Sequence, residues 1–353
     1  MNGKISIALA AASLLTLAGT ATAQNRDQLW DRCQLYSTDG KIRPGTGPDL
    51  AIGACTQLIQ SGRESSAGLS SAFNNRGTAH NNKGEYDLAI ADFNQAIALN
   101  VNDAQAYYNR GLAYERKKDF DRALDSYNQA IAHKSDYAHA YNNRGNVYFH
   151  KGNYQQALND FSQAINYDRN YRRAIENRAI TYDNMKQYDS AIRDYSRAIE
   201  LDGSVAATYV NRASSYESLG KYDRAAGDYT QGIRLDPKNA GYYNDRCWAR
   251  SIANQLEGAL ADCNESLRLR PKDSNTLDSR GLANLKLKKY PAAIADYSAA
   301  LKTQSKNPSS LYGRGVAKLA RGDKTGGAAD IAAAGKIDPG IADKYAGYGV
   351  PKP

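Results

Sequence analysis

The chain has 353 residues, 42% of them hydrophobic, and a formal net charge of +9. That is enough apolar material for a large core, and the charge is spread along the chain, with local runs only at 116–118, 169–173 and 268–272. A basic balance of this size suits nucleic acid, anionic envelope surfaces or acidic peptides, but no RNA- or DNA-binding signature accompanies it, which argues against nucleic acid.

At the N-terminus, Lys4 precedes the apolar run ISIALAAASLLTL, and Ala-Thr-Ala ending at Ala23 fits the small-x-small cleavage rule. Residues 1–23 therefore read as a signal peptide cleaved after Ala23, and the mature protein as exported to a periplasm or secreted. Residue 24 is Gln, so the site is not of the lipoprotein kind. The leader carries one Lys and no acid, so the mature charge is 9 − 1 = +8. No later segment approaches 18 apolar residues, so no transmembrane helix is expected.

Residues 24–69 read as a degenerate helical hairpin that caps a repeat array. From residue 70 a strict period of 34 sets in. Arginine stands at Arg76, Arg110, Arg144, Arg178, Arg212, Arg246, Arg280 and Arg314, each followed by a small residue. Alanine recurs from Ala89 to Ala293, and four residues after it come Phe93, Tyr127, Phe161, Tyr195, Tyr229, Cys263 and Tyr297. Within each unit the apolar positions 4, 8 and 11 form one helical face, and 20, 24, 27 and 28 form another. A turn near positions 15 and 16, with Gly at 84, 152, 220 and 322, separates them. One such hairpin cannot bury both faces alone, so neighbours must stack.

These columns resemble the tetratricopeptide repeat, whose pattern is W-x2-L-G-x2-Y, then A-x3-F, then P, over 34 residues. Eight units fit: 70–103, 104–137, 138–171, 172–205, 206–239, 240–273, 274–307 and 308–341, with a C-terminal tail at 342–353. The first-helix aromatic is present as Tyr114, Tyr148, Tyr182 and Tyr216, but is replaced by His80, Arg250, Asn284 and Lys318. The resemblance implies an all-α, right-handed superhelical solenoid of helix-turn-helix repeats, with a concave side that binds proteins or extended peptides.

Position 7 normally holds leucine in that family, so eight arginines need a partner. Aspartate recurs at position 23 as Asp92, Asp160, Asp194, Asp228, Asp262, Asp296 and Asp330, broken only by Ser126. Counting across the two hairpin turns places each arginine within reach of one aspartate before it and one after it. This predicts a structural Asp–Arg ladder, for which the guanidinium fork is suited. The alternative, a basic anion-binding stripe, is weakened by seven acids accompanying eight bases.

Position 6 holds Asn75, Asn109, Asn143, Asn177 and Asn211, then Asp245 and Ser279. It shares a helix face with positions 2, 9 and 13, away from the buried stripe, and so points to the groove. The column is similar to the asparagine ladder in the superhelical repeats of O-linked N-acetylglucosamine transferase, which grips the main chain of extended peptides. An amide offers both donor and acceptor for that purpose. Arg116, His139 and Arg173 give the groove a basic lining, and Trp248 is a candidate anchor, although packing against the next unit would explain it equally well.

Cys247 and Cys263 occupy positions 8 and 24 of the sixth unit, which should touch, and Cys33 and Cys55 repeat the arrangement before the array with six extra residues, absorbed by the loop at 39–48. In an exported chain both pairs are expected as disulfides. No C-x2-C spacing supports zinc, no catalytic motif is present, and no cofactor is expected. The sequence thus reads as a non-catalytic envelope scaffold or adaptor for proteins or peptides. Its rival is a structural protein that binds acidic envelope polymers through its basic surface.

Overall fold

The computed structural model describes residues 25–34 and 46–353. The leader with its cleavage site, and residues 39–45 of the early loop, lie outside the described residues. All regular structure among the described residues is helical. The chain divides into two compact units, one ending at Tyr171 and one beginning at Arg172.

In the first unit, α1 (25–33) and α2 (Pro48–Gln60) precede three hairpins. These are α3 (Ser66–Asn82) with α4 (Tyr86–Leu99), α5 (Ala104–Arg116) with α6 (Phe120–His133), and α7 (Ala138–His150) with α8 (Tyr154–Tyr167). In the second unit five hairpins follow: α9 (Arg172–Asn184) with α10 (Tyr188–Leu201), α11 (Ala206–Ser218) with α12 (Tyr222–Leu235), and α13 (Ala240–Ile252) with α14 (Leu256–Leu269). They continue as α15 (Ser274–Lys286) with α16 (Tyr290–Thr303), and α17 (Pro308–Ala320) with α18 (Lys324–Ile337). The short α19 (Ile341–Gly347) ends the unit.

Each hairpin is shaped by three columns of residues. Position 15 ends the first helix in the left-handed region in all eight repeats, at Gly84, Gly152, Gly220 and Gly322, but also at Lys118, Lys186, Asn254 and Lys288. Positions 8 and 24 form the seam between the two helices. A Cβ on Gly111 would lie 2.6 Å from the Tyr127 ring, and one on Gly145 would lie 2.8 Å from that of Phe161. The rings at position 24, from Phe93 to Tyr297, are all at most 3% exposed. Burying each contributes about 1.5–3 kcal/mol, and the residue opposite each ring is a glycine or an alanine, which leaves it room.

Where the sixth repeat lacks the ring, Cys247 and Cys263 are bonded across the same seam. Cys33 and Cys55 are bonded between α1 and α2, and pack with Leu58 and Ala72.

The C-terminal end differs from a simple tail. Residues 341–347 form α19, and Tyr345 and Val350 are buried. Tyr345 packs against Tyr312, with ring centroids 4.8 Å apart, and donates its hydroxyl hydrogen to the Ser309 carbonyl at 2.8 Å. The last hairpin would otherwise leave its apolar end open to water, and this segment covers it.

Candidate functional site

The arginines at position 7 are half-buried and lie between the helices, each with a fixed set of partners. Arg144 donates from Nε and Nη2 to the two oxygens of Asp160, at 2.8 and 2.7 Å. The same fork joins Arg76 to Asp92, Arg178 to Asp194, Arg212 to Asp228, Arg246 to Asp262, Arg280 to Asp296 and Arg314 to Asp330. Arg110 faces Ser126 instead, at 3.1 Å. Five of these guanidinium groups also lie over the ring at position 4, three residues before them, as Arg110 does over Tyr107 at 5.2 Å.

The backward contact differs from the expected second aspartate. Nη1 reaches a neutral acceptor 16 residues earlier: Asn94 for Arg110, Asn128 for Arg144, Ser196 for Arg212, Thr230 for Arg246, Asn264 for Arg280 and Ser298 for Arg314. Counting across the turn pointed to position 23, and the stack uses position 25 instead. The physical reason is saturation: each aspartate already holds a bidentate arginine, and in three later repeats it receives a further donor.

That further donor explains the repeats that depart from the aromatic at position 11. Arg250 donates to Asp262 at 2.7 Å, Asn284 to Asp296 at 2.9 Å, and Lys318 lies 2.9 Å from Asp330. His80 bonds Glu85 at 2.6 Å and stands 3.9 Å from Asp92. A second column was missed in the sequence. In two repeats with tyrosine at position 24, an acid at position 12 takes its hydroxyl: Tyr127 donates to Glu115 at 2.6 Å and Tyr195 to Asp183 at 2.9 Å, whereas Tyr297 has Leu285 at position 12 and meets the Tyr345 hydroxyl. Tyr229 and Glu217 are neighbours at the same two positions. Burial pushes the Glu115 and Asp183 carboxyls above the ordinary range. The choice of Tyr over Phe at position 24 was the available signal.

The asparagines at position 6 are half-buried and partly occupied with one another. In the first unit, Asn109 donates to Asn74 at 2.9 Å and accepts from Gln105 at 2.9 Å, while Asn143 donates to Tyr108 at 3.0 Å and accepts from Asn142. Asn75 lies 3.9 Å from Cys33 Sγ. These bonds tie successive first helices together, leaving each amide with unused donor or acceptor capacity. Asn177 and Asn211 belong to the second unit, where the column continues as Asp245 and Ser279, and Ser279 donates to Asn244 at 3.0 Å.

Asn75 and Asn109 share a cleft of about 940 Å³ in the first unit with Trp30, Asn74, Thr78 and Asn81. Asn81 Oδ1 is buried there with no hydrogen-bond partner among the described residues. Arg116 is exposed at the end of α5, outside the cleft lining. His139 is exposed and packs 4.9 Å from Tyr171. Arg173 is exposed on α9, and Trp248 is half-buried, 5.2 Å from Tyr348. Of the proposed groove residues in the first unit, Asn75 and Asn109 line this cleft.

Profiles described as Tetratricopeptide repeat match residues 104–137, 138–171, 172–204, 206–239 and 279–340, and one described as TPR repeat matches 77–118. The chain belongs to the tetratricopeptide-repeat family. Among solved structures, the C-terminal part of a TPR repeat-containing protein from Cytophaga hutchinsonii is 16% identical, with a TM-score of 0.56, covering 67% of this chain and 97% of that one. PilF of Pseudomonas aeruginosa is 18% identical, with a TM-score of 0.51, covering 59% and 94% respectively. These likenesses concern the fold. The comparison with curated proteins finds no match. As a TPR protein, the chain is a solenoid of helical hairpins of the kind that serves as a protein-interaction scaffold. No described helix is long and apolar enough to cross a membrane.

Proposed function

We propose that this TPR protein is an exported, non-catalytic scaffold that holds an extended segment of a partner protein in the cleft of its first unit. The observation that carries this reading is the amide lining: Asn74, Asn75, Asn81 and Asn109 converge on one cleft, and Asn81 Oδ1 has no partner among the described residues. Each amide carries two N–H donors and two acceptor lone pairs, and the bonds between helices use only part of that capacity. A peptide main chain offers the complementary pattern whatever its side chains.

Export is supported by the leader at 1–23 and by two disulfides with no free thiol among the described cysteines. The polymer-binding alternative is less favoured. Turn lysines that supply exposed positive charge are paired with aspartates of the preceding hairpin, as in Lys83 with Asp49 and Lys151 with Asp121.

An array of extended octapeptides tests the reading. Exchanging peptide side chains should change Kd only a few-fold, whereas N-methylating the central peptide bonds should abolish binding. Losing two neutral hydrogen bonds in Asn75→Ala/Asn81→Ala should weaken binding by about 5- to 150-fold, at 0.5–1.5 kcal/mol per bond. If N-methylated peptides bind as well as their parents, main-chain recognition is wrong.

A further inference from the structure

The second unit contains a pocket of different chemistry. It has a volume of about 390 Å³, and its walls include Glu217 of α11, Asp245 and Trp248 of α13, Asp278 of α15, Asp338, Lys344 of α19, and Tyr348 just after that helix. Three of its four carboxylates break the rule that the ladder obeys: Asp338 is held by Lys344, whereas Glu217, Asp245 and Asp278 have no cation bound to them among the described residues. Asp278, only 8% exposed, accepts from the hydroxyls of Ser309 and Ser310. Asp245 accepts from the Asn244 amide at 3.2 Å. Glu217 neighbours the Tyr229 hydroxyl, and its Oε1 is buried with no hydrogen-bond partner among the described residues. Lys344 is exposed and already bound to Asp338 at 2.6 Å.

Uncompensated carboxylates taken out of water are costly, and a fold does not gain from collecting three of them. Burial raises the affinity of all three for protons, and Asp245 adds repulsion at Glu217. A positive charge brought from outside would relieve this arrangement. Trp248 and Tyr348, in edge contact 5.2 Å apart, give the same pocket aromatic walls that favour an organic cation. A metal ion fits less well, because no group of His, Cys, Asp and Glu among the described residues has the arrangement to hold one.

We propose that this pocket binds an organic cation, an ammonium or guanidinium group of the kind that ends a lysine or arginine side chain, between Glu217, Asp245 and Asp278 and beside Trp248. This goes beyond the reading of the first unit and does not depend on its asparagine-lined cleft. If both sites work, the protein would read a partner's main chain in one unit and a basic group in the other.

The test uses the full mature chain carrying Trp30→Phe, so that Trp248 is its one tryptophan. Acetyl-Gly-Lys-Gly-amide should change the Trp248 fluorescence saturably, while acetyl-Gly-Gln-Gly-amide should not. Free cadaverine supplies the same ammonium without a peptide. Tighter binding of the peptide assigns the site to a protein side chain, and tighter binding of cadaverine assigns it to a free amine, either of which supports the cation pocket. Glu217→Gln/Asp245→Asn should weaken the response at least 10-fold, whereas Asp343→Asn on the exposed side of α19 should leave it unchanged. Asn75→Ala/Asn81→Ala should also leave it unchanged, which separates failure here from failure of the first cleft. A melting curve accompanies each variant, since neutralising repelling acids should raise Tm rather than lower it. The proposal is overturned if no lysine-dependent response appears, or if the double variant binds the cation as the parent does.

Discussion

At the scale of single residues, Asp262 is the most heavily engaged member of the ladder. It holds Arg246 through two bonds of 2.8 and 2.5 Å and Arg250 through a third of 2.7 Å, with its side chain 5% exposed. Asp262→Ala strands two half-buried guanidinium groups and should cost about 3–5 kcal/mol. Lys221→Ala removes only an exposed contact of 3.7 Å to Asp189 and should cost about 0–0.5 kcal/mol. Urea unfolding of the two variants side by side measures the difference. Glu217 gives a pH prediction. Burial first, and then Asp245, pushes its pKa up to about 7, against about 4.5 when unfolded. Because the folded form binds the proton more tightly, this group makes stability fall as pH rises from about 4.5 to about 7. The full effect is up to ~3 kcal/mol. Melting temperatures between pH 5 and 8 should carry this slope in the parent and lack it in Glu217→Gln.

At the scale of the hairpin, the turn at position 15 demands a left-handed residue in every repeat, and four repeats supply it without glycine. Lys118 has φ 61°, Lys186 58° and Lys288 58°. That conformation costs an L-residue about 1–2 kcal/mol, of which glycine's greater unfolded-state freedom returns about half. Lys118→Gly should therefore stabilise the chain by about 0.5–1 kcal/mol in denaturant unfolding, and Gly152→Lys should do the reverse. The hairpins themselves were legible in the sequence because positions 8, 15 and 24 each have one steric job and tolerate few residue types. The acceptors at position 25 escaped notice since Asn, Ser and Thr share only polarity. Residues 342–353 were not recognised as a packed end because seven helical residues are too few to show a period. The cation pocket was the least readable of all. Glu217, Asp245 and Asp278 occupy positions 12, 6 and 5 of three different repeats, and only stacking brings them together.

At the scale of the whole molecule, the start of the first unit and the end of the second are treated differently from the repeats: α1 and α2 are joined by Cys33–Cys55, and α19 folds over the last hairpin. The repeats share one bonding rule, an arginine reaching 16 residues forward to an acid (a serine for Arg110) and, in at least six of the eight, 16 back to a neutral acceptor. The rule contains no reference to which repeat is which. Excising residues 104–137 would bring Asn94 into the place that Asn128 now holds 16 residues before Arg144, one asparagine exchanged for another. Such a shortened chain should fold and melt cooperatively, while excising 104–138, one residue more, should not, because every later side chain would meet its neighbour out of phase. Circular dichroism melts of the two deletions decide the matter. Unequal recombination that adds or removes whole modules therefore keeps every partner in phase, so the number of repeats is open to selection while their length is not.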